Sequence, residues 1–328
     1  MTSPTATARA RELLGVGALT NASLTTWLHG LPGVDQVGAD ARAAGLGTRS
    51  IKTTSKAWAI DVAIGMIDLT TLEGADTEGK VRSLCVKAMA PDPGDPRTPH
   101  VAAVCVYNDL VTVAVDALKG SNIHVAAVTA AFPSGRASMT VKLADTRDAL
   151  TSGADEIDMV IDRGAFLSGH YLQVFNEIAA LKEACARGAG KGAPVHLKVI
   201  LETGELVTYD NVRRASWLAM LAGANFIKTS TGKVSPASTA PVAMIMLEAV
   251  RDWRALTGTQ VGVKAAGGIR TTKDAMKYLV MVNEIAGDDW LDPDWFRFGA
   301  SGLLNDLLLQ RQKLASGHYS GADYVTID

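Results

Sequence analysis

Five ionisable side chains interrupt otherwise apolar stretches of this chain: Asp68, Asp158, Lys198, Lys228 and Lys264. Burying an ammonium or a carboxylate without a partner is costly, so such groups are usually paired, shifted in pKa or placed for chemistry. For a single lysine, a side chain reaching a rim or a structural ion pair explains the residue as well as function does. Three lysines and two aspartates converging on one place alter that balance. Like-signed lysines raise one another's cost unless the site uses the depressed pKa that results. A nucleophilic amine must be neutral near pH 7, so a lysine has to fall from about 10.4 by roughly three units, or about 4 kcal/mol. A second ammonium about 5 Å away, at an effective dielectric of about 20, supplies roughly 3 kcal/mol, and partial desolvation is expected to supply the rest. Lys228 and Lys264 are the natural pair. One attacks a carbonyl as a free amine while the other stays charged.

A second group of residues suits an anion. Ala265-Ala266-Gly267-Gly268-Ile269-Arg270 and Gly299-Ala300-Ser301-Gly302 are small and glycine-rich, and the latter runs straight into an expected helix. Unpaired backbone N–H groups at such loops and at a helix N-terminus favour phosphate. Thr229-Ser230-Thr231-Gly232-Lys233 adds hydroxyls and another cation nearby. Other chemistries lack their motifs. Gly232-Lys233 is followed by Val234 and has no upstream glycine, so it is not a nucleotide P-loop, and Gly15-x-Gly17 precedes no credible βαβ unit. Neither H-E-x-x-H nor G-x-S-x-G occurs, which disfavours metal and serine hydrolases. His124 and His196, at the starts of expected strands, read as structural residues rather than metal ligands.

These residues need a scaffold that brings distant segments together. From Ala57 onward, short apolar runs alternate with longer amphipathic stretches. Strands are expected at Ile64–Leu69, Val101–Tyr107, His124–Val128, Glu156–Ile161, His196–Leu201, Phe226–Thr229, Gly262–Ala266 and Arg297–Gly299. Helices are expected at Asn108–Leu118, Thr140–Ser152, Tyr171–Ala186, Thr208–Ala222, Ala237–Leu256 and Thr271–Ile285. Such alternation gives a parallel sheet with helices outside, and residues 57–328 have the length of a closed (β/α)8 TIM barrel, about 250 residues. An open doubly wound sheet would bring a glycine-rich dinucleotide turn after the first strand, and Ile67-Asp68-Leu69-Thr70-Thr71-Leu72 has none. In a barrel, functional groups lie at the C-terminal ends of strands, so Asp68 closing strand one, Lys228 ending strand six and their counterparts share one mouth. Residues 1–56 read as an N-terminal extension, Gly-, Ala- and Thr-rich over most of its length, with one or two short helices.

Composition agrees with an enzyme of small molecules. The chain has 328 residues, 48% hydrophobic and 20% charged, with a net charge of −2, so nothing calls for nucleic acid or an anionic membrane. Cys85, Cys105 and Cys185 form no C-x-x-C pair and fit a reducing cytosol. No apolar run approaches a membrane span. A cytoplasmic location is expected, with homo-oligomerisation left open.

The segments Phe226-Ile227-Lys228-Thr229-Ser230-Thr231-Gly232-Lys233, Val263-Lys264-Ala265-Ala266-Gly267-Gly268-Ile269-Arg270 and Gly153-Ala154-Asp155-Glu156-Ile157-Asp158 resemble the deoxyribose-phosphate aldolase family. The similarity extends in order from about Asp68 to Leu308 and includes Leu197-Lys198-Val199-Ile200-Leu201-Glu202-Thr203-Gly204-Glu205-Leu206 and Phe298-Gly299-Ala300-Ser301. The length and extension resemble the branch that includes the animal enzymes. The resemblance implies a class I aldolase, without metal or cofactor, that reversibly cleaves 2-deoxy-D-ribose 5-phosphate to acetaldehyde and D-glyceraldehyde 3-phosphate in deoxyribonucleotide catabolism. By that carry-over Lys228 forms the Schiff base. Lys264 lowers its pKa and assists proton transfer, and Asp158 acts through water as general acid/base. Asp68, Thr70, Cys105, Lys198, Thr229, Thr231 and Lys233 shape the substrate site, and Gly232, Gly267, Gly268, Gly299 and Ser301 hold phosphate.

Departures from the family pattern are Ala265 for a proline, expected to loosen the turn after Lys264, Asn108 for another proline, and Gly302 for a serine. Whether Tyr319 or Tyr324 reaches the site is open at this level. The rival readings are another Schiff-base barrel aldolase or transaldolase, and a silent sugar-phosphate-binding barrel.

Overall fold

A computed structural model describes residues 5–49, 51–187, 195–318 and 321. Eight parallel strands follow one another in chain order: β1 (Ile67–Thr70), β2 (Ala103–Tyr107), β3 (His124–Thr129), β4 (Glu156–Val160), β5 (His196–Ile200), β6 (Phe226–Lys228), β7 (Gly262–Ala266) and β8 (Phe296–Ala300). β8 pairs back onto β1 through Asp68 and Gly299, so the sheet has no edge and closes. The chain is a (β/α)8 TIM barrel. Alternate strand residues point to opposite faces. Ile157, Met159, Leu197, Val199, Ile227 and Val263 turn outward into the main apolar core, leaving the intervening positions inside the barrel.

Helices α1 (Ala6–Leu14), α2 (Asn21–His29), α3 (Gln36–Gly47) and α4 (Thr53–Gly65) precede the barrel. The outer ring is formed by α5 (Glu78–Met89), α6 (Val111–Ala117), α7 (Met139–Thr151), α8 (Arg163–Leu167), α9 (Tyr171–Arg187), α10 (Tyr209–Leu221), α11 (Ala240–Thr257), α12 (Thr272–Ala286) and α13 (Gly302–Ser316). The first three helices start where a side chain satisfies an orphan N–H: Thr5 accepts from Ala8, Thr20 from Ser23 in a capping box, and Asp35 from Gly38. They hold to the barrel by specific contacts. Asn21 donates to the Gly169 carbonyl at 2.9 Å and accepts from the Leu172 N–H at 3.1 Å. Trp27, Trp217 and Trp253 stack edge-to-face, each neighbouring pair 5.7 Å apart.

Two expectations are corrected. Strand one begins at Ile67, not Ile64, because Ile64 belongs to the last turn of α4. A helix buried on several sides and a buried strand are both continuous apolar runs, and periodicity cannot divide them. The leader carries three complete helices and the start of a fourth, more than its glycine content led us to expect, because caps and packing outweigh weak propensity. Smaller shifts follow the same local logic: residues 108–110 form a 3-10 turn ahead of α6, and β8 starts one residue before Arg297. Among the described residues no helix is long and apolar enough to cross a membrane. Tyr319 and Tyr324 lie outside the described residues.

Candidate active site

Every expected charged strand residue points into the barrel and is sealed there. Asp68, Asp158, Lys198 and Lys264 are fully buried, and Lys228 is 2% exposed. Closure sets which strands are neighbours, and with them which charges meet. Asp158 stands opposite Lys198 in the β4–β5 ladder, and Lys228 opposite Lys264 in the β6–β7 ladder. Lys228 Nζ donates to Asp158 Oδ2 at 2.7 Å, and Lys264 Nζ donates to the same oxygen at 2.8 Å. Lys198 Nζ donates to Asp158 Oδ1 at 3.1 Å and also to Glu156. Lys264 pairs with Asp68 at 2.5 Å. Arg297 closes the network, donating to Asp68 at 2.6 Å and to Glu156 at 3.1 Å.

Glu156 and Arg297 were missed as site residues in the sequence. Glu156 had a legible signal, since it lies two residues from Asp158 and so on the same face of the strand. Arg297 alternates with two buried phenylalanines, Phe296 and Phe298, which marks it as inward-facing once β8 is seen to begin at Phe296.

The electrostatics separate the two lysines. Burial lowers the Lys228 pKa most; Asp158 opposes this, and the Lys264 ammonium adds to the lowering. The neighbouring ammonium, expected from sequence to be the main cause, is secondary to burial. A shared carboxylate lies between the two amines and offsets much of their repulsion, so desolvation leads. Lys264 goes the other way. Burial again works against its charge, but Asp158 and Asp68 outweigh it and hold the ammonium well above its usual range. For Asp158, burial favours the neutral acid, yet the ammoniums of Lys198, Lys228 and Lys264 keep the carboxyl well below the usual carboxylate range.

Other expected residues are placed with varying fit. Cys105 lies above the charges in a small apolar layer with Leu72, Ala126 and Val128, and burial pushes its thiol up. Thr70 donates to the Asp68 carbonyl at 2.8 Å. The Thr229 hydroxyl is engaged by the backbone of Ala266, from whose N–H it accepts at 2.9 Å, so it ties β6 to β7. Thr231 donates to Glu202 at 2.5 Å, and Lys233 pairs with Glu73 at 2.8 Å across the mouth. Gly267, at φ 77°, and Gly268, at φ 81°, turn the chain out of β7 through a conformation that favours glycine. Gly299 makes room for Lys264: a β-carbon there would stand 3.0 Å from Lys264 Cε and 2.8 Å from the Ala266 β-carbon. Ser301 precedes α13 without a side-chain cap, leaving the first N–H groups of that helix beside Gly299. Ala265 lies within β7 opposite Phe298, and the turn begins only at Gly267. Asn108 donates to the Asp145 side chain at 3.0 Å, tying the end of β2 to α7.

His124 serves the network from the floor of the barrel, its Nδ1 2.9 Å from Glu156 Oε1. That hydrogen bond raises its pKa above the ordinary 6.5, with burial opposing, the Asp155 and Glu156 charges adding to the rise and Arg297 subtracting. A raised folded-state pKa stabilises the fold fully below the unfolded value and ceases to do so as pH rises through the folded value. The melting temperature of the wild-type chain should therefore exceed that of His124→Gln most below about pH 6, with the gap closing at alkaline pH. A gap independent of pH would show that the imidazole charge contributes nothing. Among the described residues, no group of three or more His, Cys, Asp and Glu side chains is arranged to hold a metal ion.

Comparison with known proteins follows the same residues. A family model described as DeoC/LacD family aldolase matches residues 62–308. The chain is 44% identical over 279 residues to deoxyribose-phosphate aldolase of Homo sapiens, covering 82% of this chain and 85% of that one. It is 44% identical over 282 residues to deoxyribose-phosphate aldolase of Mus musculus, covering 83% and 86%. A crystal structure from Coccidioides immitis, provisionally assigned as a deoxyribose-phosphate aldolase, superposes with a TM-score of 0.62 at 28% identity, covering 84% of this chain and 99% of that one.

Proposed function

The chain belongs to the DeoC/LacD family of aldolases, and on that premise we propose that it cleaves 2-deoxy-D-ribose 5-phosphate reversibly to acetaldehyde and D-glyceraldehyde 3-phosphate through a Schiff base on Lys228. One observation carries the assignment of the nucleophile. Among the described residues the barrel interior holds four cationic side chains, Lys198, Lys228, Lys264 and Arg297, but three carboxylates, Asp68, Glu156 and Asp158. An unbalanced charge in that interior is costly, and the cation with the fewest partners sheds its proton most readily. Lys198 lies within ion-pair distance of all three carboxylates, and Lys264 and Arg297 of two each. Among the described residues Lys228 has Asp158 alone. Its side chain is also 3% exposed where those of the other two lysines are wholly covered.

The neutral Lys228 amine adds to carbon 1 of the open-chain sugar. The carbinolamine hydroxyl takes a proton from Lys264 or from a water held by Asp158 and leaves as water, giving the iminium. The water held by Asp158 then takes the proton of the carbon-3 hydroxyl as the bond between carbons 2 and 3 breaks, the electron pair passing to the iminium. Glyceraldehyde 3-phosphate departs, and the enamine is protonated and hydrolysed to acetaldehyde. Lys198, Arg297, Glu156 and Asp68 hold Asp158 and Lys264 in register. The phosphate lies against the loops carrying Thr231, Gly232, Lys233, Gly267, Gly268, Gly299 and Ser301, where backbone N–H groups and the start of α13 favour an anion.

This reading makes phosphorylated sugars and small aldehydes the partners, with no role for nucleic acid or membrane, in a reducing cytosol. Residues 1–56 are taken as the extension and 57–328 as the catalytic barrel, with α4 spanning the boundary. An assay of acetaldehyde release from 2-deoxyribose 5-phosphate in the presence of EDTA tests it. Turnover should be unaffected by the chelator; heavy loss would point to a metal-dependent lyase, and transfer of dihydroxyacetone in place of acetaldehyde to a transaldolase-like enzyme.

A further inference from the structure

Glu202, the second residue after β5, is fully buried although it takes no part in the barrel-interior charge network. Its backbone lies at φ 53° and ψ 60°, a left-handed conformation that residues with a β-carbon rarely adopt and that surrounding contacts must enforce. Its carboxylate reaches across to the next loop. It accepts from the Thr231 N–H at 3.2 Å through Oε1 and from the Thr231 hydroxyl at 2.5 Å through Oε2. Thr231 Oγ1 in turn accepts from the Lys233 N–H at 3.1 Å. The backbones are laced together as well: the Leu201 N–H donates to the Lys228 carbonyl and the Thr203 N–H to the Thr229 carbonyl, both at 2.9 Å. Gly204 then passes so close to Pro236 that a β-carbon would stand 2.1 Å from its carbonyl oxygen. The segment after β5 thus braces the segment after β6 from Lys228 to Pro236.

A carboxylate this near a loop meant for an anion opposes binding by its charge, so any benefit it brings must come through geometry. We infer that Glu202 is a positioning residue for the phosphate end of the substrate: by gripping both the amide and the hydroxyl of Thr231, it sets the path of Gly232 and Lys233 without touching the substrate. The inference rests on the proposed placement of phosphate at residues 229–233. Burial pushes the Glu202 carboxyl above its usual range, with the two bonds from Thr231 pulling the other way.

Glu202→Gln replaces one acceptor oxygen by an NH2 donor, so it can no longer accept from the Thr231 N–H and from the Thr231 hydroxyl through separate oxygens. The readouts are the affinity for inorganic phosphate by calorimetry, and steady-state kinetics with 2-deoxyribose 5-phosphate and with 2-deoxyribose. The expected result is roughly tenfold weaker phosphate binding and a matching rise in KM for the phosphorylated sugar. On the same reasoning, kcat and the kcat/KM for 2-deoxyribose should stay within about threefold. Phosphate affinity that is unchanged or tighter overturns the inference, and so does an equal loss on both sugars. If Glu202→Gln fails to fold, Glu202→Asp keeps the charge but shortens the reach to Thr231, and should give the same phosphate-specific loss. Wild-type protein that binds inorganic phosphate but cleaves no deoxyribose phosphate would sink the proposed reaction while leaving the phosphate comparison able to decide the role of Glu202.

Discussion

Borohydride reduction in the presence of acetaldehyde should attach a two-carbon group to Lys228 and to no other lysine, and Lys228→Ala should abolish both the label and turnover. The expected fall in kcat is at least about four orders of magnitude, the scale seen when a covalent nucleophile is removed from an intact site. Peptide mass mapping is the check. Three buried lysines crowd the same space, so the experiment discriminates sharply. Lys198 and Lys264 are charged by their carboxylate partners, and a protonated amine has no lone pair to offer a carbonyl. A label on either of them would mean that the surplus proton leaves a different amine and that the ranking by partner number is wrong. Removal of Lys228 leaves Lys198, Lys264 and Arg297 facing three carboxylates, a balanced interior, so the variant should fold and a loss of label cannot be attributed to unfolding.

The second large effect concerns Lys264→Leu. Deleting this ammonium leaves Lys198, Lys228 and Arg297 against Asp68, Glu156 and Asp158, and charge balance then requires Lys228 to keep its proton. Lys264 also lowers the Lys228 pKa directly. Both influences act in one direction: the Lys228 pKa rises, and the acidic limb of the kcat/KM profile moves to higher pH. With Asp158 offsetting part of the repulsion, a rise of about one pKa unit corresponds to a loss of about tenfold at pH 7 from this cause alone, and the loss of a proton carrier adds to it. Partial recovery at alkaline pH separates the two contributions, because raising the pH restores the free amine but not the missing acid. An unimpaired variant, or a profile that falls without shifting, would show that Lys264 does not govern the protonation of Lys228.

The strength and the limits of the sequence reading have the same source. The barrel was legible because alternation of short apolar runs with amphipathic ones is a local property, repeated often enough to survive errors of a few residues at each boundary. Ile64 was misplaced because a buried helix end and a buried strand start present the same apolar run. Lys228, Lys264 and Asp158 stood out because a charge inside an apolar strand is costly wherever it occurs. Glu156 and Arg297 do not stand out because each opens an expected strand, where a charge is unremarkable, and Glu202 does not because its importance lies in a turn and in a partner 29 residues away.

Local pattern in this chain determines the strands, most of the helices and which inward positions carry charge. It does not determine the protonation state that the chemistry needs. Each lysine's state depends on how many carboxylates it shares, and those carboxylates come from β1 and β4, far apart in sequence and brought together across the interior only once β8 has paired with β1 and closed the barrel. Electrostatic energy in a sealed interior is a sum over distances between groups, so the tertiary structure alone selects Lys228 as the amine that can be neutral and Lys264 as the one that stays charged.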